Sequence, residues 1–256
     1  MSDIIKVNLI NKEECANFYE RWGKFAAKCY NSNPKYAKRI GKSCHKTGHY
    51  SGSRGFYFIF EIEGPRSMID QLARHEQGVV KNIQSQRYTD SSELEWFVPE
   101  DIGKDEDLLA LFNGHMEKTK EVYGELEKGL TDRYGYAGEK SREKARGVIS
   151  MDMQSSGVFG FTIEALENLM KKRLCNRSQE HIRKMAKIMR SELLSVLPEL
   201  GEYLAPPCAL VGVCPEGNMQ CSQFKDIFPT KEQFYEIRKH PDYIKMIAEI
   251  KKGGKK

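Results

Sequence analysis

The stretch Gly55-Phe56-Tyr57-Phe58-Ile59-Phe60-Glu61-Ile62-Glu63 is aromatic and β-branched with interleaved glutamates, the pattern of a long strand buried on at least one face. Gly64-Pro65 breaks that run, and Pro65 suits the first turn of a helix carrying Met68, Ile69 and Leu72 toward Arg74 and ending near Gly78. Upstream, residues 4–10 alternate as a strand, and Cys15, Phe18, Trp22, Phe25 and Cys29 then recur at helical spacings of three and four. Downstream, the longest helical pattern runs from residue 105 to about 129, with Leu108, Leu111, Phe112, Met116, Val122, Tyr123 and Leu126 near one face. Core packing is the most economical reading of that stripe. A further helix begins near Ser141, residues 158–162 are a short extended piece, and residues 163–174 and 178–197 both show helical spacing, stopped by Pro198 and Gly201. The sum is an α+β fold, a twisted, mostly antiparallel sheet flanked by helices. Residues 206–219 are rich in Pro, Gly and Cys and read as a loop, followed by short helices around 231–239 and 242–250 and a lysine tail.

Composition narrows the function classes. The 256 residues suffice for a sizeable core, and no apolar run approaches the roughly 18 to 20 residues of a membrane helix. The first residues lack the basic-then-apolar layout of a secretory signal, so a cytoplasmic protein is expected. Seven cysteines, odd in number and scattered, fit reduced thiols better than a disulfide framework. The net charge of +5 is concentrated in the Lys251-Lys252-Gly253-Gly254-Lys255-Lys256 tail, and no basic stripe with interleaved aromatics marks a nucleic-acid surface. Small anionic molecules are the better partners, because a few arginines suffice for a phosphate.

One segment is dense in donors. Gln71-Leu72-Ala73-Arg74-His75-Glu76 leaves a helix and runs into Asn82-Ile83-Gln84-Ser85-Gln86-Arg87-Tyr88, which offers guanidinium and hydroxyl groups to phosphate oxygens. On the residues alone this is either an anion site or a solvated loop whose arginines face water. Other constellations carry less. Cys208, Cys214 and Cys221 lack the paired Cys-x-x-Cys spacing of zinc sites, and Cys44-His45 near His49 has no second pair, so no metal is expected. Ser85 has no Gly-x-Ser-x-Gly setting for a nucleophile, and no Gly-x-Gly-x-x-Gly marks a Rossmann-type dinucleotide site.

The donor-rich segment resembles the signature of the flavin-dependent thymidylate synthases (the ThyX family): Arg-His-Arg, seven residues, then Ser-x-Arg-Tyr. Here Arg74-His75-Glu76 and eight residues precede Ser85-Gln86-Arg87-Tyr88, a departure by one residue in length and by Glu76 for the third-position Arg. Further resemblances follow in the family's order. They are Ala27-Lys28-Cys29-Tyr30, His49-Tyr50-Ser51, Phe58-Ile59-Phe60-Glu61-Ile62, Ala145-Arg146-Gly147-Val148-Ile149, and Asn168 to Arg173 with Gln179 to Arg183. Arg54-Gly55 stands where the family often has Glu-His, and Asn82-Ile83 where Asn-Glu is common.

The resemblance implies reductive methylation of dUMP to dTMP, with FAD carrying reducing equivalents from NADPH and methylenetetrahydrofolate supplying the carbon. It implies that Gln71, Gln84, Ser85, Arg87, Arg146 and Arg173 bind dUMP, with Arg173 and Ser85 in catalytic positions and Arg173 polarising the uracil. His49, Ser51, Arg74, His75, Asn82 and Asn168 match flavin-contacting positions, and Arg54 or Lys81 are candidates to restore the charge that Glu76 removes. It also implies a catalytic domain over 1–205, an extension over 206–256, and a homotetramer whose active sites draw on several subunits, without nucleic acid or membrane. The altered signature leaves room for a flavoenzyme of the same fold that acts on another pyrimidine nucleotide or installs hydroxymethyl, and for a non-catalytic nucleotide binder.

Overall fold

A computed structural model describes residues 5–29, 31–93 and 95–211, together with Cys214, Glu216, Met219 and Cys221. Strand β1 (Lys6–Leu9) is followed by α1 (Lys12–Ala16), α2 (Phe18–Cys29) and α3 (Ala37–Lys46). Strand β2 (Phe58–Pro65) leads into α4 (Arg66–Ala73) and β3 (Val79–Ile83). The short α5 (Glu100–Gly103), the long α6 (Glu106–Tyr134) and α7 (Glu139–Ala145) precede β4 (Gln154–Phe161). Helices α8 (Ile163–Arg173), α9 (Glu180–Val196) and α10 (Pro207–Val211) complete the described order. The expected helices near 231–239 and 242–250 lie outside the described residues, as do Ile4 and Tyr30.

The chain divides into two compact units, one of Met1–Ile10 with Ile59–Gly160, the other of Asn11–Phe58 with Phe161–Lys256. The first holds the four-stranded antiparallel sheet, in the order β1-β2-β4-β3. Strand β2 pairs antiparallel with β1, Val7 opposite Ile62 and Leu9 opposite Phe60. Its alternation is the one read from the sequence: Phe58, Phe60 and Ile62 are buried and Glu61 is exposed. Pro65, however, is not in the first turn of a helix. Its backbone is extended (φ −62°, ψ 145°), so β2 runs through it and α4 begins at Arg66. The amides of Arg66 and Ser67 donate to the carbonyls of Met153 and Met151, 2.9 Å each, so backbone groups satisfy the start of α4.

Helix α4 ends at Ala73 rather than near Gly78. Gly78 adopts a left-handed φ of 70°, turning the chain into β3 at the sheet edge. Helix α6, about 43 Å long at 1.5 Å per residue, is capped by Asp105, whose side chain accepts from the amides of Asp107 and Leu108, and is stopped by Gly135 at φ 65°. Only Met116, Thr119 and Tyr123 of α6 are buried. Leu108, Leu111 and Leu126 are 48%, 72% and 40% exposed, so within one chain the expected core stripe is largely uncovered.

In the second unit α2 and α3 cross closely because two glycines meet backbone. A Cβ on Gly23 would stand 1.7 Å from the Ala37 carbonyl oxygen, and one on Gly41 2.1 Å from that of Tyr19. Beside this crossing Phe18, Tyr19, Trp22, Phe56 and Phe58 are buried, and the ring of Phe18 lies 4.9 to 5.5 Å from each of the other four. Thr162 caps α8 by accepting from the Ala165 amide at 3.3 Å.

Candidate functional site

In the second unit, the residues after α3 are clamped onto α8. Tyr50 Oη donates to Glu167, 3.1 and 3.0 Å from its two carboxylate oxygens. Arg54 makes a two-pronged pair with Glu164 at 3.0 and 3.1 Å. Glu167 also receives Nε2 of His45 at 2.7 Å, and Tyr19 Oη lies 2.7 Å from His45 Nδ1. With Nε2 carrying the proton, the Tyr19 hydroxyl donates to Nδ1 and each member of this buried chain is satisfied. Burial raises the Tyr19 and Tyr50 hydroxyls well above the ordinary phenol range, and neighbouring carboxylates add to the rise. The clamp fixes the segment that presents His49 and Ser51, both exposed, on the helix that presents Asn168, also exposed.

The C-terminal end of α8 opens on a pocket of about 590 Å³ lined by Asn168, Lys171, Lys172, Arg173 and Arg177. Three of those cations occupy the last turn of α8, where the helix dipole favours positive charge even without a ligand. The following turn is held by its own hydrogen bonds. Ser178 Oγ donates to the Lys172 carbonyl at 2.8 Å, and Arg183 donates to the carbonyl of Asn176 at 2.6 Å. Among the described residues the same pocket wall carries one carboxylate, Glu216, which is ion-paired with Arg177.

The first unit carries the other candidates on connected elements. Gln71 is half-buried on α4, Arg74 is its exposed C-cap, and half-buried His75 follows. Lys81, on β3, donates to the Ala73 carbonyl and stands 4.0 Å from Glu76, which ties the end of α4 to the strand bearing exposed Asn82. Lys81 therefore supplies positive charge beside Glu76, whereas Arg54 is committed to Glu164. Gly157 of β4 lets β3 lie close, since a Cβ there would be 2.9 Å from the Asn82 carbonyl oxygen.

Beyond β3, the Gln84 amide donates to Ser156 at 2.9 Å and its side chain accepts from Ser156 Oγ at 3.2 Å. Ser85 Oγ accepts from the Arg87 amide at 3.3 Å, and its carbonyl accepts from Tyr88 and Thr89, a tight turn that presents Arg87. Arg87 Nη2 pairs with Glu139 and with Glu143, the latter at 3.1 Å, while its buried Nε has no hydrogen-bond partner. Arg142 fastens the same loop to the helical pair by donating to the Tyr88 carbonyl at 2.9 Å and pairing with Glu127 at 3.3 Å. Arg146 is exposed at the end of α7.

Sequence reading did not anticipate Lys171, Lys172 and Arg177 in the pocket wall, nor Glu139 and Glu143 as partners of Arg87. The run Lys171-Lys172-Arg173 was a usable signal. The glutamates were not, because charged residues on a short exposed helix look alike until their neighbours are known.

Clustered cations at a helix end and an arginine loop with an unsatisfied buried nitrogen define an α+β protein equipped for anionic ligands. A family model described as Thymidylate synthase complementing protein (Thy1) matches residues 14–199. The flavin-dependent thymidylate synthase of Clostridium tetani (strain Massachusetts / E88) is 33% identical over 184 residues, covering 69% of this chain and 73% of that protein. That of Nitratidesulfovibrio vulgaris (strain Hildenborough) is 34% identical over 174 residues, covering 68% and 70%. That of Pyrococcus abyssi (strain GE5 / Orsay) is 31% identical over 184 residues, covering 67% and 70%. The chain belongs to the Thy1 family, the flavin-dependent thymidylate synthases.

Proposed function

We propose that this chain converts dUMP to dTMP in the cytoplasm, using FAD, NADPH and methylenetetrahydrofolate. The observation that carries the reading is the basic pocket at the end of α8, where Asn168 and Arg173 line one cavity with Lys171, Lys172 and Arg177. A cavity with several cations and few carboxylates suits polyphosphate and nucleotide oxygens. The donor chemistry also fits a flavin dinucleotide. His49, Ser51 and Asn168 are exposed hydrogen-bonding groups held on one rigid frame, and Arg74, His75 and Asn82 are their counterparts around β3. FAD, when bound, supplies the hydride chemistry that no side chain offers.

The chain's own residues bind and polarise. Gln71, Gln84, Ser85, Arg87 and Arg146 hold dUMP, the arginines chiefly at its phosphate. Arg173 donates to the pyrimidine and stabilises negative charge as it develops in the ring. Ser85 positions substrate and shapes the turn that presents Arg87. Residues 1–205 form the catalytic domain and the residues from 206 an extension of it. A homotetramer is the assembly proposed, and the uncovered leucines of α6 supply apolar surface for such contacts.

The test is turnover of dUMP, UMP and dCMP in parallel, with product masses read for each. Methylation of dUMP alone is expected. A hydroxymethylated product, or preference for UMP or dCMP, would replace this reading with a different pyrimidine chemistry, and a protein that neither contains nor takes up flavin would reduce it to a nucleotide binder.

A further inference from the structure

Four of the seven cysteines line a single cavity of about 260 Å³ in the second unit. Cys175 enters from the turn after α8, Cys208 from α10, and Cys214 and Cys221 from the residues beyond it. The three sites on the C-terminal side are spaced by five and six intervening residues, and the fourth thiol comes from far upstream, so the group is invisible to a search for paired spacings. Among the described residues no three His, Cys, Asp or Glu side chains already stand in reach of a single ion. The thiols surround a space instead of meeting at a point.

We propose that Cys175, Cys208, Cys214 and Cys221 are the ligands of a four-thiolate metal centre. Soft sulfur ligands without imidazole select zinc or iron–sulfur chemistry. Zinc with four thiolates needs every sulfur about 2.3 Å from one ion. Thiols that line a shared cavity without converging on one point suit a multi-iron cluster, for which four cysteines are the usual ligand set. Each thiol releases its proton to solvent as it binds. Lys187 lines the same cavity and offsets part of the negative charge that four thiolates bring, while Arg177, also in its wall, is paired with Glu216.

The centre acts as a clasp. Cys208 and Cys214 also line the larger pocket that holds Asn168 and Arg173, and Cys175 follows Arg173 by two positions. Joining them fastens Cys208, Cys214 and Cys221 to the turn that presents Arg173. This role is independent of flavin binding and of the proposed reaction.

The experiment is elemental analysis for iron and zinc, with acid-labile sulfide, on the full-length protein purified without oxygen. Flavin content is measured in the same samples, so that metal without flavin, or flavin without metal, separates this inference from the functional one. Iron with matching sulfide identifies a cluster and one zinc per chain identifies a single ion, and either supports the centre. Metal content is expected to fall severalfold or more in Cys175→Ser and Cys221→Ser and to be unchanged in Cys29→Ser, an exposed cysteine outside the cavity. Should the serine variants fail to fold, alkylation of the wild type decides, with four thiols protected until the metal is stripped. A metal-free protein that takes up neither zinc nor iron with sulfide, or one with disulfides among these four cysteines, would overturn the proposal.

Discussion

Arg87 illustrates how a residue's partners set its availability. Its guanidinium is held by Glu139 and Glu143 while Nε lacks a partner, so an arriving phosphate must compete with two carboxylates. Arg87→Ala should weaken dUMP binding by about 1.5 to 3 kcal/mol, the range for hydrogen bonds to charged groups. Glu139→Gln with Glu143→Gln should strengthen it by less than about tenfold, since these are exposed pairs of modest worth. Calorimetric titration with dUMP checks both signs. A buried pair behaves differently. The His45 side chain is fully enclosed and that of Glu167 is 8% exposed, so His45→Ala, which strips one buried hydrogen bond from a carboxylate still held by Tyr50 and takes the acceptor from Tyr19 Oη, should cost about 1 to 3 kcal/mol in denaturant unfolding. Tyr19 and Tyr50 add a pH signature. Their folded pKa values lie above the ordinary value of 10.0, so the stability they contribute is complete below pH 10 and is lost as pH rises beyond it toward the folded values. The alkaline limb of the stability curve should flatten in a Tyr19→Phe, Tyr50→Phe variant, as followed by thermal melts across pH 8 to 12.

At the scale of elements, the α2 and α3 crossing makes the sharpest demand. Gly41→Ala would drive a methyl group into the Tyr19 carbonyl, and at least 1 to 3 kcal/mol of destabilisation is expected from such overpacking, read as a lowered thermal midpoint. The same crossing explains what the sequence concealed. Helix α3 buries Ala37, Gly41, Cys44 and His45, small or polar residues that leave no apolar periodicity to detect. Strand β3 looks like a polar stretch in sequence because it lies at the sheet edge with no fully buried side chain, so the alternation that betrays β2 is missing. The usual preference of Pro65 points to a helix start, but its extended ψ serves equally as the last residue of a strand. In contrast β2, α6, α8 and α9 were legible, since long periodic patterns survive local detail. Site residues split the same way. Arg87 and Arg173 are singled out by resemblance to the family's motifs, while the carboxylates and lysines beside them depend on packing that no short motif encodes.

For the molecule as a whole, α6 carries the question of assembly. Leucines at 108, 111 and 126 lie open in the single chain. Leu111→Glu should lower the oligomeric mass in light scattering if that face meets another subunit, and should leave it unchanged if the face is solvated. The central claim rests on the nucleotide and its product. The most direct measurement is mass spectrometry of dUMP incubated with the purified protein, FAD, NADPH and methylenetetrahydrofolate, alongside an Arg173→Ala control. The account predicts dTMP from the wild type and a loss of at least tenfold in its rate of formation in the variant. Unchanged dUMP from a flavin-loaded wild-type protein, or equal dTMP from both proteins, would contradict it.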